Sequence, residues 1–128
     1  MKKLIIILFS LFLTSGLWAQ KAFSAKITSK DNNEFFVKEN NGNYFVTFEV
    51  DNINIKQLTT LESSIKNSRG VLNVTTSEID KKTYFFKVEF YKFATSKRYY
   101  AGFFKRNNIK KLLIDNKVIY PDELIEKK

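Results

Sequence analysis

The chain has 128 residues, a formal net charge of +9, and neither cysteine nor histidine. The lack of these two residue types excludes disulfides, thiolate or imidazole metal ligands, and both Cys-His and Ser-His-Asp catalysis. The positive charge favours anionic partners such as lipid headgroups, glycans or nucleic acid, without selecting one of them. We therefore expect a non-catalytic domain with no metal or other cofactor, stabilised by its hydrophobic core alone.

Residues 1–19 have the three parts of a secretory signal peptide. Lys2 and Lys3 precede an apolar run at residues 4–13, and Ala19 is small enough to stand before the cleavage site. A retained membrane anchor is the alternative, but spanning a bilayer takes about 20 apolar residues. We expect cleavage after Ala19, or failing that after Ala22, and export to the periplasm or beyond with no membrane span. Lipid attachment is not expected, because no cysteine follows.

Residues 20–43 are predicted to be an N-terminal extension of strands and turns. Apolar residues alternate over Phe23–Ile27, and residues 35–37 suggest a second strand. Between them, residues 31–34 offer oxygen ligands but lack the spacing and the glycine of a calcium loop, so a turn is the preferred interpretation. Residues 39–43 contain Asn-Gly, which is a strong hairpin signal.

Residues 44–124 are predicted to form one α+β domain of the ferredoxin-like type, βαββαβ, with both helices on one face of the sheet. Asn54 suits the N-cap of the first helix, with Gln57 completing a capping box, and Gly70 closes that helix. The predicted elements are a strand at residues 44–50, a helix from residue 55, strands at 71–79 and 83–93, a helix at 96–108 and a strand at 111–115. A short strand at 118–120 and a helical turn from Pro121 through Leu124 are expected to follow.

The helix at 96–108 has an aromatic stripe and a basic back. Its spacing sends the aromatic residues to the core and leaves Arg98 and Lys105 on the opposite face. A membrane-surface or nucleic-acid element is the alternative for the same composition.

The sheet face away from the helices is predicted to hold Phe45, Phe85 and Tyr91, which is too much aromatic surface to stay exposed. The N-terminal extension is expected to cover this face, and a second copy or a partner protein is the alternative. On the same face, Glu49 and Glu89 could form a carboxylate pair, but Lys87 and ordinary exposed-face pairing are the simpler explanation.

The segment 44–90 resembles a heavy-metal-associated domain of the copper-chaperone type. The matching residues are 46–50, Leu58, Leu61, Glu62, Ile65, 70–74 and 87–90. The resemblance implies a ferredoxin-like fold and a metal site made by two cysteines three positions apart. Asn54 and Gln57 occupy those positions here, so we expect no Cu(I) or Zn binding, and a structural cap instead.

Two functions remain. The first is an exported protein-interaction module that binds another protein, or a second copy, through its sheet face or an edge strand. The second is a binder of anionic surfaces that uses the basic helix face. An enzyme ranks last, because the remaining carboxylates, lysines, tyrosines and hydroxyls form no evident catalytic constellation.

Overall fold

The computed structural model describes residues 22–32 and 34–126, so the predicted signal peptide at residues 1–19 lies outside the described residues. Seven strands form one sheet with three helices, and the predicted α+β class is confirmed. No helix within the described part of the chain is long and apolar enough to cross a membrane. The elements are β1 Phe23–Ile27, β2 Val37–Lys38, β3 Tyr44–Val50, α1 Ile55–Lys66, β4 Val71–Asp80, β5 Thr83–Phe90, α2 Lys97–Arg106, β6 Ile109–Ile114, β7 Lys117–Ile119 and α3 Glu123–Glu126.

The strand order differs from that of the predicted ferredoxin-like sheet. The sheet runs β4-β5-β3-β1-β6-β7, and β2 also pairs with β3. A ferredoxin-like unit would place β3 beside β6, but β1 lies between them, antiparallel to β3 and parallel to β6. The N-terminal extension therefore contributes a central strand.

The burial of β1 explains its position. Ala25 is paired with Val50 on one side and Leu112 on the other, and only 1% of its surface is exposed. The chain then leaves the sheet and returns at β2, which pairs with the other end of β3. Residues 31 and 34 bond each other through both backbone N–H groups, so the turn preferred over a calcium loop is present.

The segment between β1 and β2 contributes to the core on the helix side. The Phe36 ring stacks on Tyr100 of α2 with centroids 4.7 Å apart, and Phe35 contacts both Tyr100 and Phe104. The expectation that the extension covers the opposite sheet face is therefore wrong. Three aromatic residues of α2 lie in the core, as predicted: Tyr100, Phe103 and Phe104 are fully buried, while Tyr99 packs against the core and is partly exposed.

Three predicted elements are shorter in the structure. α1 ends at Lys66 with Asn67 as its C-cap, before Gly70, the residue predicted to close it. β5 ends at Phe90, three residues before the predicted end, because the chain then turns at residues 91–94, where the N–H of Ala94 donates to the carbonyl of Tyr91 at 2.9 Å. α2 begins after Ser96 and ends at Arg106, with Asn107 as its C-cap. The earlier end of β5 frees residues 91–96 to form a projecting loop.

Candidate functional site

The most exposed large apolar side chain among the described residues belongs to Phe93, in the loop between β5 and α2. Its side chain is 76% exposed, and the neighbouring Tyr91 is 54% exposed. Leu72, at the start of the adjacent strand β4, is 48% exposed at the same end of the sheet. Four exposed cations accompany them. We call the set formed by Arg69, Leu72, Tyr91, Lys92, Phe93, Lys97 and Arg98 the aromatic–basic tip.

The loop that carries Phe93 is anchored on both sides. The N–H of Ala94 donates to the carbonyl of Tyr91 at 2.9 Å, which closes a turn. Ala94 is buried, and its carbonyl accepts a 2.6 Å hydrogen bond from the Tyr100 hydroxyl. Ser96 then caps α2 by accepting the N–H of Tyr99 at 3.1 Å. The exposure of Phe93 is therefore imposed by a defined backbone path.

The burial of the Tyr100 hydroxyl also favours the hydrogen bond that anchors the loop. Desolvation raises the pKa of the Tyr100 hydroxyl far above its ordinary value, so this group stays a neutral donor to the Ala94 carbonyl. On the opposite side of the loop, the Tyr99 hydroxyl donates to the carbonyl of Arg69 at 2.5 Å. Two tyrosines of α2 therefore hold the two backbone segments that make the tip.

The cations of the tip are free of carboxylate partners within the described ranges. The salt bridges there join Lys30 to Asp115, Lys87 to Glu39 and Lys105 to Asp122. The sequence from residue 90 to residue 114 contains no Asp or Glu at all, while it includes Lys92, Lys97 and Arg98. The tip is therefore a locally uncompensated positive surface.

The predicted binding residues divide into separate groups. Tyr91 and Arg98 belong to the tip, whereas Lys105, seven positions after Arg98 on α2, bonds Asp122 at 2.8 Å. Phe45 and Phe85 lie on the open sheet face and are only partly exposed. Because β3 and β5 pair Phe45 with Glu89 and Phe85 with Glu49, a full row of residues separates the two rings. On the open face, the strand register therefore keeps Phe45 and Phe85 apart.

A carboxylate pair is present on the open face, but with a different member from the one predicted. Glu89 pairs with Glu39, from the turn before β3, instead of with Glu49. Burial first, and then the Glu89 carboxyl, raise the pKa of Glu39 above its ordinary value, while Lys87 opposes the shift from 3.9 Å. The amine of Lys87 also lies 4.8 Å from the centroid of the Phe45 ring. This arrangement covers Phe45 and leaves it less available to a partner.

A polar cleft of about 490 Å³ lies between the C-terminal parts of α1 and α2. Its buried member, Asn107, accepts from the Ser64 hydroxyl and donates to Ser68 and to the carbonyl of Phe103. These bonds use the amide to join the two helices. The cleft is also lined by Asn67, Arg69 and Arg106. We interpret the cleft as a helix junction, because its buried polar group is already satisfied.

Asn54 and Gln57, which the predicted resemblance aligns with metal-binding cysteines, cap α1. The Asn54 side chain accepts the N–H of Gln57 at 2.8 Å, and the Gln57 side chain accepts the N–H of Asn54 at 2.9 Å. Within the described residues, no three acidic, cysteine or histidine side chains are grouped to hold a metal ion.

Comparison with known proteins gives no match to a family model, a curated protein or a solved structure. The resemblance to heavy-metal-associated domains therefore stays a prediction, and the functional argument depends on the geometry of the tip.

Proposed function

We propose that this chain is an exported, non-catalytic binding domain that docks on anionic membrane surfaces through the aromatic–basic tip. The observation that carries the proposal is the 76% exposure of Phe93 on an anchored loop. Soluble domains rarely leave a phenylalanine so exposed beside other apolar side chains unless that surface has a partner. The unpaired cations around it indicate that the partner is negatively charged.

The two kinds of side chain suit the two layers of a bilayer surface. The rings of Phe93 and Tyr91 and the chain of Leu72 can enter the boundary between headgroups and acyl chains. Each cation near an anionic surface contributes about 1 kcal/mol, and burying one phenylalanine ring contributes about 1.5–3 kcal/mol. The entropy lost on docking offsets part of this favourable free energy, so we expect binding to be reversible. The contribution of the cations is screened by salt, so binding should weaken as salt is added.

Nucleic acid fits the tip less well. Binding of single strands depends on rings that offer their flat faces to successive bases. The rings of Tyr91 and Phe93 are nearly perpendicular, at 82°, with centroids 6.3 Å apart, so they do not form a common stacking platform. The aliphatic Leu72 offers a base no stacking partner, while it is compatible with hydrocarbon.

The test is sedimentation of the protein with phosphatidylcholine vesicles that contain or lack phosphatidylglycerol. We expect binding to the anionic vesicles only, weakened several-fold by Phe93→Ser and by Lys92→Gln together with Arg98→Gln. Tyr120→Ser is the matched control for the loss of an exposed ring, because Tyr120 is 49% exposed outside the tip. Lys110→Gln together with Lys111→Gln is the control for the loss of two charges, because both residues are exposed on β6 outside the tip.

Two outcomes would contradict the proposal. The first is equal binding by the wild type, the Phe93 variant and the Tyr120 variant. The second is a preference for single-stranded DNA or heparin over anionic vesicles at the same ionic strength, which would assign the tip to a polyanion instead.

A second candidate, the protein-interaction module, is favoured by a different observation. β4 forms one edge of the sheet and is exposed over most of its length.

A further inference from the structure

β4 is a long edge strand with little protection. It spans the 10 residues Val71–Asp80 and pairs only with β5, whereas the opposite edge strand β7 has 3 residues and begins with Lys117. Natural edge strands are usually short, or carry lysine or proline that discourages pairing with another chain. Residues 71–79 contain no Lys, Arg or Pro, and Glu78 is the one charged residue among them.

The centre of this edge is regular. Register irregularities lie between Val71 and Asn73 and between Glu78 and Asp80, so residues 73–78 form an undisturbed run. Exposed apolar side chains flank the run, because Leu72 is 48% and Ile79 is 51% exposed. β-branched residues at its middle favour the extended conformation that an added strand needs.

We propose that a second copy of this chain adds its β4 antiparallel to this edge, forming a two-fold dimer with one continuous sheet. Residues directly opposite each other in antiparallel strands share a face of the sheet. The two-fold axis must therefore lie between the two copies of one residue, so that this residue faces its own equivalent. With the axis at Thr75, each Thr75 faces its equivalent, Val74 faces Thr76, and Asn73 faces Ser77. Over residues 73–77 this pairing is uncharged, and it places hydroxyl opposite hydroxyl at Thr75 and hydroxyl opposite amide at Ser77 and Asn73. Glu78 faces the exposed Leu72 at the margin of the regular run.

The neighbouring centre at Thr76 is less favourable. An axis at Thr76 would place the Glu78 carboxylate opposite Val74, which is buried against the core. The self-complementary pairing around Thr75 is the reason to assign the edge to a second copy. An extended segment of another protein would have to supply the same uncharged pattern, and it remains an outcome of the test.

The test begins with the mass of the purified protein by sedimentation equilibrium from about 1 µM to about 1 mM. We expect a concentration-dependent dimer. Thr75→Glu and Thr75→Lys each place two like charges at the axis and should weaken the dimer more than about tenfold. Mixing these two variants in equal amounts should restore association, because opposite charges then meet. Thr60→Glu, on the exposed surface of α1, is the control for added charge.

Mixing the two Thr75 variants distinguishes a dimer paired at Thr75 from a dimer formed through another surface. Restoration in the mixture supports pairing at Thr75, and it also shows that both variants are folded. A wild type that stays monomeric at the highest concentration overturns the proposal, as does a dimer that neither Thr75 variant weakens or a mixture that stays monomeric. If either variant lacks a cooperative melt, two double variants replace the pair, because Asn73 and Ser77 face each other in the same pairing. Asn73→Lys with Ser77→Lys replaces Thr75→Lys, Asn73→Glu with Ser77→Glu replaces Thr75→Glu, and both are judged by the same outcomes.

Discussion

Asn54 and Gln57 show how much a few local residues can determine. Their side chains and backbone N–H groups bond each other reciprocally at the start of α1. Asn54→Ala should therefore destabilise the protein by about 1 kcal/mol, because the N–H of Gln57 loses its acceptor. The midpoint of urea unfolding measures this loss. Asn54→Asp keeps an acceptor and is the control, so equal losses in both variants would show that the cap does not stabilise the helix.

The Glu39 carboxyl makes stability depend on pH. Its pKa is raised above the ordinary 4.5 in the folded state, mainly by burial and then by Glu89. The folded protein therefore holds this proton more tightly than the unfolded chain. The resulting stabilisation is complete below about pH 4.5 and is lost as the pH rises through the raised pKa.

Glu39→Gln should remove this dependence. Thermal melts between about pH 4 and pH 7 should show a smaller decline with rising pH in the variant than in the wild type. Glu62→Gln, on α1, is the control for the loss of one carboxyl. Parallel declines in wild type and Glu39→Gln would mean that Glu39 does not supply the dependence.

At the scale of elements, local patterns predicted well and long-range pairing did not. The strands β3 and β5 and the helix α2 each repeat an apolar residue at their own period, and each buries the predicted face. β1 is only five residues long, and its alternation says nothing about which strands will flank it. Its parallel partner β6 begins at Ile109, far along the chain.

For the functional residues, too, local patterns predict well and contacts between distant segments are not predicted. The alternation in β5 indicates Tyr91 on the open sheet face, and the helical spacing indicates Arg98 on the basic face of α2. The same patterns place Phe93 at the end of a strand and do not predict its exposure in a loop. The turn that ends β5 early is closed by a backbone hydrogen bond between residues 94 and 91, in a stretch that has no glycine or proline to indicate a turn. Glu39 was missed because it lies in a turn and meets Glu89 only through the register of β3 and β5.

The central position of β1 has a direct test. Ala25→Glu should prevent stable folding, because it puts an unpaired charge at a site that is 1% exposed between two strands. Ser24→Glu introduces the same charge on the neighbouring residue, which is exposed and paired with Lys111, and should be tolerated. Circular dichroism melts compare the two. If Ala25→Glu melts like Ser24→Glu, β1 does not lie inside the sheet.

At the scale of the whole molecule, the tip and the β4 edge are related by geometry. The tip lies where β4 begins, and antiparallel pairing of two β4 strands would put the two beginnings at opposite ends of the joined sheet. A 10-residue strand is about 33 Å long, so two tips would face away from each other across roughly that distance. A dimer with this arrangement could contact two membrane surfaces at once.

If both proposals hold, the protein should therefore cluster anionic vesicles as well as bind them. Turbidity should rise when the wild type is added to phosphatidylglycerol-containing vesicles, and it should fall again on adding salt because screening releases the tips. Thr75→Glu should still sediment with the vesicles but leave the suspension clear, since a monomer has one tip. Phe93→Ser should lose both properties. Clustering by Thr75→Glu equal to that of the wild type would show that one molecule contacts two vesicles without the β4 dimer.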